Sequence, residues 1–148
     1  MKIRKAQIKD ICELEVISNE QFEEKKMRLN FINYVDNSNY TVNIIENSKK
    51  VILGFIVIKF IDMDHIEIYS LAVKKYFENK GFGFKLLQNV IKSYPNHNFI
   101  LEVSENNIAK FLYKKCGFKI DSFRKKYYKN YDAILMSYSK LSPGSEES

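Results

Sequence analysis

Apolar residues recur along this chain with two periods, and the switch between them marks out the elements. In "YTVNIIE" (40–46), "VILGFIVIKFI" (51–61), "HIEIYSLAV" (65–73) and "NFILEVS" (98–104) they alternate or run together, as in half-buried and buried strands. "NSKK" between the first two of these is a hairpin signal. From Leu86 the apolar positions are 86, 87, 90, 91 and 94, a helical period that Pro95 and Asn96 end. "NIAKFLYKKCG" (107–117) repeats that period at 108, 109, 112, 113 and 116, with Gly117 placed as a left-handed C-cap. Ahead of these, "KIRKAQ" reads as a first strand. Asp10 or a neighbour then caps a helix through Ile11, Leu14 and Ile17. A second helical stretch carries Met27, Phe31 and Tyr34 or Val35 on one side, and "FKIDSFRKKYY" with "DAILMSYSK" closes the chain as a strand pair.

The predicted order is β-α-α-β-β-β-α-β-α-β-β: one strand-helix-strand unit with antiparallel hairpins on either side. This is an α+β, or mixed α/β, sheet covered by helices. A length of 148 residues suits one domain with a real core, and 45% hydrophobic with 28% charged residues is the balance of a soluble globular protein. No apolar run approaches the roughly 20 residues that span a bilayer. "MKIRKAQIKD" also lacks the apolar core of a secretion signal, so a cytoplasmic protein without membrane partners is expected. The tail from Ser142, "SPGSEES", reads as a disordered end or a cloning remnant, which leaves residues 1–141 as the domain.

Charge and the scarce reactive residues narrow the chemistry only a little. The formal charge of +6 and pI near 9.1 favour anionic partners. The basic residues are scattered apart from "RKKYYK" (124–129), and no specific nucleic-acid motif is present. Cys12 and Cys116 lie far apart, and with His65 and His97 they make neither a disulfide framework nor a metal-ligand spacing; no metal is expected. The stretch "FENKGFGFKLL" (77–87) is more telling, because it puts two of the chain's five glycines, Gly81 and Gly83, where a strand hands over to a helix. Glycines at a helix N-terminus let backbone N–H groups approach an anion, and Lys85 adds charge. They also serve as plain turn and packing residues. Neither the third glycine of a dinucleotide loop nor the G-K-[S/T] ending of a triphosphate loop is present.

"SLAVKKYFENKGFGFKLLQNVI", "LEVSENNIAKFLYKKCGF", "RKKYY" and "DAILM", in that order over about residues 65–140, resemble the GNAT family of acetyl-CoA-dependent N-acetyltransferases. Within it they are most similar to the RimI group, which acetylates protein N-termini, notably that of a ribosomal protein. The resemblance implies the GNAT fold, a mixed, mostly antiparallel twisted sheet of about seven strands flanked by about four helices. It also implies a pyrophosphate of CoA held by the backbone of Asn79, Lys80, Gly81, Phe82, Gly83 and Phe84. Glu78 departs from the family loop Q/R-x-x-G-x-G/A by placing an acid beside a polyanion. The main chain of Leu71, Ala72 and Val73 would run along the pantetheine arm, on a strand splayed from its neighbour.

Acyl transfer to an amine needs a base for the ammonium, donors for the thioester oxygen and a proton for the leaving thiolate. Glu102 matches the RimI group's general base, acting through water; on strand alternation it points opposite to Leu101 and Val103. A strand-end carboxylate is its plainer reading. Glu67 is the rival base, and His65 a distant third that reads as a satisfied strand-end histidine. Tyr113 falls on the apolar stripe of its helix and matches the family tyrosine that protonates the thiolate. Asn106, seven residues before Tyr113 but only four after Glu102, matches a cofactor-contacting asparagine; Asn107 shares the position, and both suit helix caps. Tyr127 and Tyr128 resemble the tyrosine pair that holds the backbone of an acceptor N-terminus, and are equally ordinary edge-strand aromatics.

No base is paired with Cys116, so direct attack is expected rather than an acetyl-cysteine. An α-amine, with pKa about 7.7–8.0 against about 10.4 for lysine, asks less of one carboxylate. "ISNEQFEEKKMR" lacks the tryptophan-bearing stretch associated with RimI proteins, and the acids of "NEQFEEKK" keep a polyamine or other small amine open as acceptor. A non-catalytic acetyl-CoA sensor is the reading from another class.

Overall fold

Strands β1 (Lys2–Lys5), β2 (Tyr40–Glu46), β3 (Ile52–Phe60), β4 (His65–Val73), β5 (Asn98–Ser104), β6 (Lys119–Tyr128) and β7 (Tyr131–Tyr138) join in one sheet of order β1-β2-β3-β4-β5-β7-β6. Every neighbouring pair is antiparallel except β4 and β5. The computed structural model describes residues 1–22, 25–128 and 130–140, with backbone alone for Lys26, Tyr127 and Tyr128. The tail from Ser142 lies outside the described residues.

Helices α1 (Ile11–Gln21), α2 (Phe82–Ser93) and α3 (Ala109–Lys115) cover the two faces. Leu86, Leu87 and Val90 of α2 and Tyr113 of α3 pack with Ile56, Ile58, Ile66, Ile68, Phe99 and Leu101. On the other face, Leu14 and Ile17 of α1 pack with Phe31, Val42, Ile44, Phe55 and Val57. β3 is therefore buried on both sides from Ile52 to Ile58, which is why its sequence runs apolar without alternation. Among the described residues no helix is long and apolar enough to cross a membrane.

The second predicted helix is replaced by two 3-10 turns, Lys25–Met27 and Phe31–Asn33. Side chains have captured the backbone that a helix would need. The Leu29 N–H donates to Ser18 Oγ (3.1 Å), and Arg28 Nε donates to the Phe22 carbonyl (2.7 Å). Phe31 and Val35 still reach the core, so the apolar spacing was a burial signal without a helix. Three α-helices are thus present among the described residues, against about four expected. α3 is shorter than predicted because Asn107 Oδ1 takes the Ala109 N–H (2.8 Å) and starts the helix late. Its end is as expected. Gly117 is left-handed (φ 102°), its N–H donates to Lys114 O, and the Phe118 N–H donates to Tyr113 O, both at 3.0 Å. This is the Schellman arrangement, completed by the Phe118 ring on the Tyr113 ring with centroids 5.7 Å apart.

Asp10 precedes α1 but does not cap it with its side chain. Its carboxylate accepts the Gln7 N–H (2.7 Å) and pairs with Arg4 (2.9 Å), whose Nε lies 3.2 Å from Glu46. One guanidinium thus joins β1, the start of α1 and the end of β2, between carboxylates that are each 6% exposed. The hydrogen bond from Arg4 holds Asp10 below the usual carboxylate range. Replacing Arg4 by Met strands two buried charges and should cost about 2–4 kcal/mol, read from urea unfolding at neutral pH. A depressed carboxyl pKa gives stability that is present above the ordinary range and lost as pH falls. The gap between Arg4→Met and the parent should therefore narrow in acid.

Candidate active site

β4 and β5 pair only at His65↔Asn98, Ile66↔Phe99 and Glu67↔Ile100, although both strands continue beyond. The cause lies on the other edge of β4. Its register with β3 slips there, Val57 facing Ser70 and Ile58 facing Ile68, which leaves Tyr69 as the extra residue of a bulge. A bulge bends its strand, and β4 and β5 part on reaching it, their last pair being Glu67↔Ile100. β5 meanwhile stays paired with β7 through Ser104. A cavity of about 280 Å³ opens between the parted strands, lined by Ile68 to Leu71, by Glu102 to Ser104, and by Asn106, Tyr113 and Tyr131. A second of about 600 Å³ follows Leu71, Ala72 and Val73 to the turn before α2. The two share Gln21, Phe22, Leu71, Asn107 and Ala109 as walls and make one channel. The splay expected of this strand is there.

At the far end, Glu78, Asn79 and Gly81 to Phe84 line the channel. Gly81, the residue before α2, has φ 87°, and α2 has no side-chain cap. A Cβ at Gly81 would meet nothing within 4 Å, so glycine serves the left-handed backbone, not a tight fit. The first-turn N–H groups of α2 are thus available to an anion. Gly83 is a packing glycine in addition, since its Cβ would stand 3.3 Å from the Leu112 side chain. Lys115, with Nζ 4.8 Å from the centroid of the Phe84 ring, lines this part, whereas Lys80 and Lys85 lie outside the lining.

At the near end, Glu102 and Tyr113 face one cavity. Glu102 Oε1 is 2.7 Å from Arg124 Nη2. The guanidinium reaches across β7 where Ala133, the partner of both Arg124 and Ser104, offers only a methyl group. Glu67 is half-buried on the strand next door; burial pushes its carboxyl up, Lys59 opposes this and the Glu102 charge adds to it. Tyr113 is buried and fixed by the Schellman end of α3. Asn106 lines the cavity, while the Asn107 side chain is occupied as a cap.

The remaining predicted residues divide. His65 Nδ1 is 2.9 Å from Asp62, a satisfied strand-end histidine as its plainer reading held. Burial pushes the Cys116 thiol up to about 11, which keeps it a thiol. The side chains of Tyr127 and Tyr128, and Glu23 and Glu24 of "NEQFEEKK", lie outside the described residues. Glu20 of that stretch accepts the Lys75 N–H (3.0 Å). Three lining or bordering features had escaped the sequence. Arg124 was visible only as part of a basic run. Gln21 Nε2 donates to the Val73 carbonyl on the open edge of β4 (2.7 Å). Ser70 Oγ, beside the bulge, is buried with no hydrogen-bond partner.

An open strand edge, a partnerless hydroxyl beside it and an uncapped helix start at its far end fit a long ligand with an amide-bearing arm and phosphates. The acetyltransferase (GNAT) family pattern matches residues 8–118. The [ribosomal protein bS18]-alanine N-acetyltransferase of Haemophilus influenzae is 34% identical over 90 residues, 59% of this chain and 60% of that enzyme. The fold resembles the ribosomal-protein-S18-alanine N-acetyltransferase of Escherichia coli (TM-score 0.79, 22% identity, 92% of this chain and 91% of that one). It equally resembles a chimeric spermidine N-acetyltransferase from Vibrio cholerae (TM-score 0.79, 15% identity, 95% and 97%).

Glu67 supplies a check on this electrostatic reading. A carboxyl held above its ordinary value favours the fold below that value and loses the advantage as pH rises through it. Glu67→Gln should therefore raise the melting temperature at pH 7.5, and the gain should vanish below the ordinary carboxylate range.

Proposed function

The chain belongs to the acetyltransferase (GNAT) family and is an N-acetyltransferase, and from that premise we propose that it acetylates the α-amino group of a protein N-terminus. Acetyl-CoA supplies the acetyl group as a thioester. Asn79 to Phe84 at the start of α2 would hold its pyrophosphate, and the open edge of β4 at Leu71, Ala72 and Val73 its pantetheine arm. Glu102, acting through water, takes the proton from the acceptor ammonium. The freed nitrogen forms its bond to the acetyl carbon as the carbon–sulfur bond breaks, and the Tyr113 hydroxyl gives a proton to the departing sulfur. The observation that carries this assignment is the convergence of Glu102 and Tyr113 on one cavity at the end of the open β4 edge.

Asn106 stands in the same wall and would contact the cofactor arm. The hairpin between β6 and β7 brings Tyr131 to the cavity, and Tyr127 and Tyr128 of the same hairpin are the residues proposed to hold an acceptor backbone. A ribosomal protein is the acceptor that the Haemophilus relative's name records, and it is the first protein class to try. Glu67 is the second carboxylate within electrostatic reach of Glu102, so the base is assigned by comparing the two.

The test follows CoA thiol release with three acceptors: a peptide with a free alanine N-terminus, the same peptide N-blocked with an internal lysine, and spermidine. Turnover on the free N-terminus alone is expected. Glu102→Gln should cut kcat about 100-fold or more and Tyr113→Phe about 10-fold or more, with Glu67→Gln the milder change. Turnover on spermidine or lysine alone would discard the N-terminal acceptor and keep the acetyltransferase.

A further inference from the structure

Glu102 is the one charged side chain lining the acid–base cavity among the described residues, and it is already paired. Its partner Arg124 is half-exposed, and Lys125 and Lys126 follow it on the exposed β6. Glu67, just outside the lining, faces Lys59 across the β3–β4 ladder. Glu102 and Glu67 thus each have a cation of the chain's own beside them. Arg124, Lys125 and Lys126 make that stretch of β6 a cationic approach, while Asp132 and Glu105 by the same hairpin accept backbone N–H groups. An ammonium that comes to Glu102 must share it with a guanidinium. With no anion of its own, the acceptor brings a second cation to the Glu102 carboxylate, an arrangement that desolvation in a cavity makes worse.

An acceptor with a carboxylate next to its amine removes the conflict. The ammonium goes to Glu102, the acceptor carboxylate takes Arg124, and every ion stays paired. In a polypeptide the second residue lies about 3.8 Å along the chain from the first, so its side chain can span from an amine at Glu102 to a guanidinium that sits beside it. We propose that Arg124 is a specificity-determining residue that selects N-termini with Asp or Glu in second position. This rests on the N-terminal reading above and names its substrate class.

The experiment uses three peptides, identical except for Ala-Glu, Ala-Gln or Ala-Lys at the start, with kcat/KM measured for the parent protein, Arg124→Gln and Arg124→Lys. In the parent, Ala-Glu should exceed Ala-Lys by about tenfold, equivalent to about 1.4 kcal/mol, with Ala-Gln between them. Arg124→Gln should bring the ratio to within about twofold, and Arg124→Lys should keep most of it. A variant that is merely damaged lowers all three rates together and leaves the ratio standing, which would overturn the inference. So would a parent that does not discriminate while turning over all three. Turnover of spermidine but of no peptide would remove the N-terminal reading and this selectivity with it.

Discussion

The bulge at Tyr69 sets the rest of the site. β4 must keep its ladder with β3, because that seam carries the core of both faces, and yet present an open edge toward β5. A buried edge with unpaired N–H and C=O groups costs about 1–3 kcal/mol for each group left unsatisfied. The structure limits that cost in two ways. Gln21 reaches from the end of α1 to the Val73 carbonyl. The bulged residue is itself anchored, with the Tyr69 ring tilted against Tyr34 and edge-on to Tyr40 at centroid distances of 5.5 and 5.6 Å. A hydrogen bond with Tyr34 pushes the Tyr69 hydroxyl up to about 12. What remains open along the edge, together with Ser70 Oγ, is a set of polar groups that a bound amide arm can satisfy.

The two ends of the channel are held by different means. α3 has only seven residues, too few to be stable by propensity, so Tyr113 owes its place to its burial and to the Phe118 contact that closes the Schellman turn. Glu102 owes its place to β7, which keeps β5 straight while β4 bends away. The phenol and the carboxylate therefore converge from opposite walls of the gap. Far from the site, the Arg4 guanidinium pins the start of α1. α1 in turn carries Gln21 and Phe22 to the middle of the channel, so a contact between β1 and β2 helps to hold one of its walls.

Element types were legible wherever burial was one-sided or the period was long. β4 and β5 begin and end where the alternation put them, and the glycines opened α2 as read. The second helix was not legible, since Phe31 and Val35 are buried with a helical spacing although the backbone ahead of them, at Leu29 and Phe22, is claimed by Ser18 and Arg28. Such side-chain captures join residues six and eleven apart and leave no periodic pattern. The same is true of the site. The loop and the two catalytic candidates could be placed from order and spacing, but Arg124 meets Glu102 only through the register of three strands. The bulge at Tyr69 was equally hidden, because "IEIYSLAV" alternates too loosely to show which residue is extra.

The Glu102–Arg124 pair also bears on the kind of amine that can react. In the proposed reaction one carboxylate acts through one water, so the intrinsic acidity of the acceptor ammonium weighs heavily. At pH 7.5 an α-amine with pKa near 7.7–8.0 is neutral in roughly a third of molecules, whereas an alkyl amine at about 10.4 is neutral in about one of a thousand. That difference is about 3–4 kcal/mol of barrier, more than a single water-mediated contact to Glu102 would recover. An enzyme for lysines or polyamines needs a stronger base or uncompensated acids that gather the cation. Here Glu102 and Glu67 each have a cation of the chain's own beside them, which is consistent with the α-amine proposed as acceptor.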